Sequence, residues 1–349
     1  MKRVRLWVMG LTLVASVQVQ ADMAPALRKA APPPDYARVA RDFLPRAEQG
    51  DVLAQSVLAQ LYLLGEGVVR DEAQALHWAD KAAAQGDKNA QYLLGLMHFE
   101  GHGVMRDEQL ALAWFRKAAA QGDAEARFQC ALMLIDGRGT VPDEAAAVRL
   151  LQPLAEEGHA EAQYALAIML SNGRGIAQDD AAAVALLRQA ASQELVKAMF
   201  NLGLMYEIGR GVVQDDHQAL EWYRRAAQQG DVNAQYVMGT LYASGRGIAR
   251  DDRQAVYWFR LAAAQGDAEA RVYMAEMALQ GRITPASDRE AALLYLRAAE
   301  QGDVEAQHYM GVLYELGLGV PQDTQLAAQW YQRARATHVR RAGHPVTSA

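Results

Sequence analysis

Small and apolar residues recur at helical spacing in two short stretches of residues 231–266, separated by a polar loop that contains glycine. The first stretch opens after Asp231 and runs to about Ser244, and the Asp231 carboxylate can accept hydrogen bonds from the free amides of a first helical turn. Gly245 can then end this helix in the left-handed conformation. Asp251 opens the second stretch in the same way. The pattern predicts two short helices joined by a Gly-x-Gly loop.

The same landmarks return every 36 residues along most of the chain. The glycines that separate the units are in phase, with Glu194 in the one slot that breaks the series: Gly50, Gly86, Gly122, Gly158, Gly230, Gly266 and Gly302. Eight units result, beginning at Asp51, Asp87, Asp123, His159, Leu195, Asp231, Asp267 and Asp303. Because a fixed period of this size is typical of solenoids, we predict an all-α fold, an α/α solenoid of eight helix-pair repeats.

Positions that recur in all units indicate which helix faces are buried. One position in each helix is always Ala, and a third holds only Gly or Ala. Two other columns are bulky: Trp78, Trp114, Leu150, Leu186, Trp222, Trp258, Leu294 and Trp330, and Leu61, Met97, Met133, Met169, Met205, Leu241, Met277 and Leu313. Small residues let helix axes approach closely and bulky residues fill the remaining space, so we predict that both bulky columns are core and not a cofactor site.

The repeated motifs resemble those of a known family. The Gly-x-Gly loop, the Asp that opens the second helix, the Ala-x-x-Trp step and the Ala-Ala-x-Gln-Gly close are similar to the Sel1-like repeat, a relative of the tetratricopeptide repeat. The resemblance covers residues 51–338. It implies a right-handed superhelix of helix pairs that binds or scaffolds other proteins.

The ends of the chain differ from the repeats. Residues 1–21 combine basic residues, an apolar run and a small-x-small site, which predicts a signal peptide cleaved near Ala21. We predict a flexible proline-containing linker over 22–34, an N-terminal capping half-repeat over 35–50, and a disordered basic tail over 339–349. The mature protein is then expected in the periplasm or outside the cell, with no membrane span.

Three departures interrupt the array without changing its length. Pro153 falls within a second helix, where it should remove a hydrogen bond and bend the helix. Glu194 and Leu195 replace the usual Gly-Asp pair, and a left-handed backbone at Glu194 would cost about 1 kcal/mol relative to Gly. The loop after Gly281 loses its second glycine at Ile283. We predict local adjustments within one continuous domain.

Charge and chemistry-bearing residues exclude several functions. The formal charge is −6, so we predict no nucleic-acid partner. Cys130 is the only cysteine, and it lies at a position that is Leu in other units. By contrast, the Sel1-like proteins associated with β-lactam chemistry have a disulfide in each unit. His98 and His102 are four residues apart, but Gly101 should end the helix between them. We therefore predict no metal site, no cofactor and no enzymatic function, and the aspartates that open second helices are read as caps.

An arginine ladder offers one candidate binding surface. Five successive units carry Arg between or beside the loop glycines: Arg138, Arg174, Arg210, Arg246 and Arg282. Arginine forks recognise carboxylates and phosphates, so an acidic polysaccharide, a lipopolysaccharide phosphate or an acidic protein edge could bind there. The alternative is a solvated loop position that bonds to neighbouring Asp side chains and loop carbonyls.

The second candidate is the side of the first helices that the resemblance places on the concave groove. One polar column holds Asn89, Glu125, Glu161, Lys197, Asn233, Glu269 and Glu305, and the column beside it holds Gln55, Gln91, Arg127, Gln163, Met199, Gln235, Arg271 and Gln307. This mixture suits hydrogen bonding to a peptide or another protein, and it equally suits ordinary solvated surface. We expect Gln91, Arg127, Gln163, Gln235 and Arg271 to be exposed there.

Together these observations predict a non-enzymatic periplasmic scaffold that binds another envelope protein or peptide. A factor for acidic polysaccharide or exopolysaccharide assembly, acting through the arginine ladder, is the first alternative. An enzyme acting on β-lactams or peptidoglycan is the second. The sequence does not identify the partner.

Overall fold

The computed structural model describes residues 35–282, 287–316 and 319–342, and every regular element in those ranges is an α-helix. In chain order the helices are α1 (Tyr36–Glu48), α2 (Val52–Leu64), α3 (Glu72–Ala84), α4 (Lys88–Glu100), α5 (Glu108–Ala120), α6 (Ala124–Asp136), α7 (Glu144–Glu156), α8 (Ala160–Asn172), α9 (Asp180–Ser192), α10 (Val196–Ile208), α11 (Asp216–Gln228), α12 (Val232–Ser244), α13 (Asp252–Ala264), α14 (Ala268–Leu279), α15 (Ser287–Glu300), α16 (Val304–Leu316) and α17 (Thr324–Ala342). The predicted helix pairs, and with them the α/α solenoid class, are confirmed.

The predicted caps set the ends of the helices. Asp87 Oδ1 accepts a hydrogen bond from the Ala90 amide at 2.7 Å and so opens α4, which ends at Gly101 with a φ of +83°. Asp107 opens α5 by accepting from the Leu110 amide at 2.9 Å. Each such bond satisfies an amide that has no partner within its helix. Aspartate caps of these two kinds recur in most units, and each helix from α1 to α13 has 13 residues, whereas α14, α15 and α17 differ in length.

The second glycine of each loop brings the loop backbone against the preceding repeat. Gly139 has a φ of +67°, and a Cβ built on it would lie 2.2 Å from the carbonyl oxygen of Glu108, the first residue of α5. Such a distance leaves no room for a side chain. By contrast, Gly122 at the end of a repeat also has a positive φ, but a Cβ there would meet nothing within 4 Å.

Within a repeat, the two helices match a small residue with a large one. A Cβ on Gly95 of α4 would lie 2.5 Å from the Phe115 ring of α5. In the next repeat the same pair is Ala131 and Leu151, both fully buried. The small residue is therefore Gly opposite the Phe115 ring and Ala opposite Leu151, and Gly239 faces the Phe259 ring in the same way.

The bulky columns are core, as predicted, although not equally so. All eight members of the Met and Leu column are buried, and so are Trp78, Trp258 and Trp330. Trp114 and Trp222 are only partly buried. Lys117 Nζ lies 3.7 Å from the Trp114 ring centroid, and Arg225 lies over Trp222, so these rings also make cation–π contacts.

The three departures have different outcomes. Pro153 lies inside α7, which the structure describes as one helix from Glu144 to Glu156. Glu194 has a φ of +64° and is the one non-glycine residue with a positive φ in the described ranges. Leu195 lacks a side-chain cap for α10. Residues 283–286 of the seventh repeat lie outside the described residues.

The chain divides into two compact units, Met1–Gln189 and Ala190–Ala349. The division falls within α9, shortly before the Glu194–Leu195 substitution. In the first unit, α1 packs against α2 in the position predicted for the capping half-repeat. In the second, α17 continues to Ala342, so the helix extends into the segment that the sequence predicts to be a disordered tail from 339 onward.

The predicted signal peptide (1–21) and linker (22–34) lie outside the described residues, as do residues 343–349. None of the described helices is both long and apolar enough to cross a membrane.

Candidate protein-interaction surface

The arginine ladder forms ion pairs between successive repeats. Arg138 Nη2 lies 2.9 Å from Glu108 Oε1, and Arg174 Nη2 lies 2.6 Å from Glu144 Oε1. Each carboxylate belongs to the first residue of the preceding second helix. In the second unit, Arg282 pairs with Asp252 at 2.5 Å and donates to the Ala243 carbonyl at 2.7 Å. These contacts match the alternative in which the ladder bonds to neighbouring acidic side chains and carbonyls.

The remaining two arginines are also engaged. Arg246 forms its ion pair with Glu207 instead of the first residue of a second helix, and Glu207 also accepts from the Tyr223 hydroxyl at 2.5 Å. Arg210 has interactions of its own as well. No member of the ladder presents an unpaired guanidinium.

Two of the paired carboxylates, Glu108 and Asp252, contact a second arginine. Glu108 lies between Arg106, at 2.5 Å, and Arg138. The hydrogen bonds from Arg106 and then from Arg138 hold the pKa of Glu108 below its usual range. An external acidic ligand would have to displace these carboxylates, so the charge available to a polysaccharide along this edge is small.

The column expected to line an exposed groove is largely buried, and the expectation of exposure for Gln91, Gln163, Gln235 and Arg271 is wrong. These residues are only 3–6% exposed. Gln163 Nε2 donates to the Ala155 carbonyl at 3.1 Å, and Gln235 does the same with Ala227 at 3.1 Å. These carbonyls lie at the end of the preceding helix and also accept from the backbone amides of Gly158 and Gly230.

A second glutamine extends each of these bonds across the repeat. Gln121 Nε2 donates to Gln91 Oε1 at 2.9 Å and to the Gly86 carbonyl at 2.9 Å. Gln265 contacts Gln235 and Gly230 in the same way. We call these bonds the glutamine ladder. It joins successive repeats. Its first-helix members Gln91 and Gln235 are buried and not available to a partner, whereas Gln121 and Gln265 are exposed.

Where an arginine replaces the first-helix glutamine of the ladder, the residue 30 positions on supplies an oxygen that it can contact. Arg127 replaces a glutamine, and its partner 30 positions on is Glu157, with Arg127 Nη1 3.6 Å from Glu157 Oε1. Arg127 remains partly exposed, unlike its neighbours in the column. Arg271 in turn donates to Gln301 and to the Gly266 carbonyl.

The polar column beside the ladder is partly accessible: Leu53, Asn89 and Glu269 are exposed, and the other members are partly buried. Its members recur on the first helices, and we call them the surface column: Leu53, Asn89, Glu125 and Glu161 in the first unit, and Lys197, Asn233 and Glu269 in the second. Leu53 is 58% exposed. His159, which takes the place of a capping Asp, contacts this column because its Nε2 lies 3.0 Å from Glu125 Oε1, and this bond raises the pKa of His159.

The residues considered for chemistry remain apart. Burial raises the pKa of the Cys130 thiol to about 11, so the thiol is protonated at neutral pH. His102 Nδ1 lies 3.3 Å from Glu72 Oε1. Across the ranges that the structure describes, His, Cys, Asp and Glu side chains form no group of three that could hold a metal ion.

The comparisons with known proteins identify the repeat. The model of the Sel1 repeat matches eight consecutive segments: 52–87, 88–123, 124–159, 160–195, 196–231, 232–267, 268–303 and 304–336. The chain belongs to the Sel1 repeat family. Sel1 repeats generally mediate protein interactions.

Two solved Sel1-type structures are similar over most of the chain. A Sel1 repeat protein from Oxalobacter formigenes is 31% identical, with a TM-score of 0.64, over 88% of this chain and 87% of that one. The protein c5321, a protective antigen of uropathogenic Escherichia coli strains with an SLR fold, is 32% identical, with a TM-score of 0.53, over 85% of this chain and 73% of that one. None of the curated proteins compared with the chain matches it.

The polar contacts between helices that the sequence analysis did not predict share one feature. Complementary polar residues lie 30 positions apart, as with Gln91 and Gln121 or Arg127 and Glu157. This offset is shorter than the 36-residue period because it joins the first helix of a repeat to the end of the second helix of the same repeat. A search for pairs at that offset would have placed the glutamines between the two helices of a repeat.

Proposed function

We propose that this Sel1-repeat protein is a non-enzymatic scaffold of the periplasm or cell exterior that binds another envelope protein or peptide through its surface column. The observation that carries the proposal is the contrast between neighbouring columns. The glutamine ladder repeats one set of internal contacts, whereas the surface column changes from Leu53 to Asn89 to Glu125 while remaining at least partly accessible.

The chemistry of the surface column suits a polypeptide partner. An exposed Leu, an amide and carboxylates lie at equivalent positions of successive repeats, so they can supply apolar contact and hydrogen bonds to an elongated partner. The ion-paired arginine ladder offers less to an acidic polysaccharide. We therefore favour a protein or peptide partner over a glycan.

Export is proposed from residues 1–21, whose basic start, apolar run and Ala21 site are typical of a signal peptide. The similar protein c5321 is described as a protective antigen, which agrees with a location outside the cytoplasm. Fractionation followed by N-terminal sequencing tests this point. We expect a periplasmic or secreted chain that begins at Asp22, and an uncleaved cytoplasmic chain would reject it.

Binding is tested by capture from envelope extracts with residues 22–349. The test variant, Leu53→Glu with Asn89→Arg, changes two exposed members of the surface column. The control, Ala73→Glu with Gln74→Arg, introduces the same two residue types at exposed positions of α3. Both variants should retain the helical circular dichroism of the wild type.

We expect one specific protein to be captured by the wild type and the control but at least tenfold less by the test variant. Equal capture by all three chains would move the binding site away from the surface column. Capture of no protein by the wild type under these conditions would reject the scaffold proposal.

A further inference from the structure

The seventh repeat departs from the six before it at a buried position of its second helix; the eighth also has Ala there, at Ala328. The six preceding repeats carry a branched aliphatic residue there: Leu76, Leu112, Val148, Val184, Leu220 and Val256. The seventh has Ala292, which is itself buried. Replacing Leu or Val by Ala removes methyl groups that fill the core elsewhere, and a site that does not collapse keeps the resulting space.

The surface beside Ala292 is more apolar than in the other repeats. Leu296 occupies a column that is polar in the six preceding repeats: Asp80, Arg116, Gln152, Arg188, Arg224 and Arg260. Leu293, on the same helix, is 57% exposed. The repeat has therefore lost an apolar group inside and gained apolar groups outside, at neighbouring positions.

These changes coincide with a groove in the second unit. It has a volume of about 210 Å³ and lies between α15, α16 and residues Gly319 and Val320. Its lining comprises Arg289, Ala292, Leu293, Leu296, Met310, Tyr314, Gly319 and Val320. Met310 is fully buried and forms the floor. Sites for drug-sized ligands usually measure roughly 300–1,000 Å³, so this groove is better suited to one bulky side chain of a partner.

Arg289 supplies the single formal charge of the lining. Its side chain is exposed. An exposed guanidinium beside an apolar groove favours a partner segment that places a carboxylate next to its apolar residue.

We propose that this groove, the repeat-seven pocket, binds a bulky apolar side chain, such as Leu or Phe, from an acidic segment of a partner protein, with the adjacent carboxylate on Arg289. The proposal rests on the scaffold function and specifies its partner chemistry. It adds a second anchoring point, in the second unit, to the surface column.

The test uses the chain 22–349 with its methionine methyl groups labelled with carbon-13 and synthetic acetylated peptides. The probe peptide is Gly-Asp-Phe-Asp-Gly, and the comparison peptides replace Phe by Ala or both Asp by Asn. The Met310 methyl resonance, assigned by loss of its signal in Met310→Leu, reports occupancy of the floor. We expect it to shift with the probe and at least tenfold more weakly with the Ala peptide.

Matched variants distinguish peptide binding in the pocket from non-specific electrostatic attraction. Ala292→Leu restores the residue type of three other repeats and should reduce affinity at least tenfold. Leu293→Glu changes an exposed residue and should also reduce affinity at least tenfold. It provides the test if Ala292→Leu perturbs the packing of the helix. Arg289→Gln should remove the preference for Asp over Asn, whereas Arg253→Gln, at the same position of the sixth repeat, should leave it unchanged.

The proposal would be overturned if all peptides bound equally, or if neither Ala292→Leu nor Leu293→Glu reduced binding. It would also be overturned if the Met310 resonance shifted with protein concentration in the absence of peptide, because a second copy of the chain would then occupy the pocket. The scaffold function is judged separately. If the captured envelope partner is retained by Ala292→Leu and Leu293→Glu, the pocket proposal fails and the scaffold stands; capture of no partner rejects the scaffold itself.

Discussion

At the scale of single residues, the pairing of small with large side chains sets how closely the helices of a repeat approach. Gly95 faces Phe115, whereas Ala131 faces Leu151. The columns look merely small or merely bulky when they are inspected one at a time. What the packing constrains is the combined volume of the two side chains that face each other, because protein interiors are close-packed.

We predict that Gly95→Ala destabilises the first unit by about 1–2 kcal/mol. The added methyl would overlap the Phe115 ring, and overpacking typically costs about 1–3 kcal/mol, partly offset by the roughly 1 kcal/mol that Ala gains over Gly in a helix. Phe115→Leu in the same chain should recover about 1–2 kcal/mol relative to additivity.

The coupling free energy between the two substitutions is measured by urea denaturation of the wild type, both single variants and the double variant. Ala131→Gly is the control, because its partner Leu151 leaves room for the methyl group. Additive effects of Gly95→Ala and Phe115→Leu would show that the backbone, and not the ring, sets the requirement for glycine.

At the scale of helices and loops, much of the structure could be read from the sequence. The capping aspartates, the glycines at helix ends and the helix pairs follow from local chemistry at Asp87, Gly101 and Asp107. The burial of Gln91 did not, because its partners, Ala83 and Gln121, belong to the preceding and following second helices. On a single helix Gln91 is simply a polar residue beside an exposed column.

The loop glycines give a prediction at this scale. Gly139→Ala should destabilise the first unit by roughly 2–4 kcal/mol, since its Cβ would overlap the Glu108 carbonyl in addition to the strain of a positive φ. Gly122→Ala, which meets nothing within 4 Å, should cost about 1 kcal/mol from the backbone conformation alone.

Thermal and urea unfolding of these two variants, followed by circular dichroism, measure the difference. A Gly139→Ala variant no less stable than Gly122→Ala would mean that the loop moves away from α5 without cost, and that this contact does not position the repeats.

At the scale of the whole molecule, ion pairs and the glutamine ladder join one repeat to the next within each unit. Glu108 connects α5 to the Arg138 loop of the following repeat. Because its pKa is lowered in the folded state, its contribution to stability is complete above the unfolded pKa of about 4.3 and is lost as the pH falls through the lower folded value.

We therefore expect Glu108→Gln to lower the unfolding free energy by up to about 1 kcal/mol at pH 7, as is usual for partly exposed pairs. The difference from the wild type should narrow as the pH falls below about 4.3, and also in 1 M salt. Urea midpoints at pH 7, 5 and 3 measure it. A difference that stays constant with pH would assign the effect to packing instead of charge.

The glutamine ladder has a consequence for how this protein can change over generations. Every bond in it joins residues at a fixed separation, 8, 30 or 35 positions, within the repeating pattern. Inserting or deleting one complete unit leaves every such separation intact at the new junction, whereas a shorter insertion or deletion within a unit leaves a buried amide without its partner. Unequal recombination between copies of the repeat in the gene can thus lengthen or shorten the array in whole units, and binding surfaces can be added without redesign of the core.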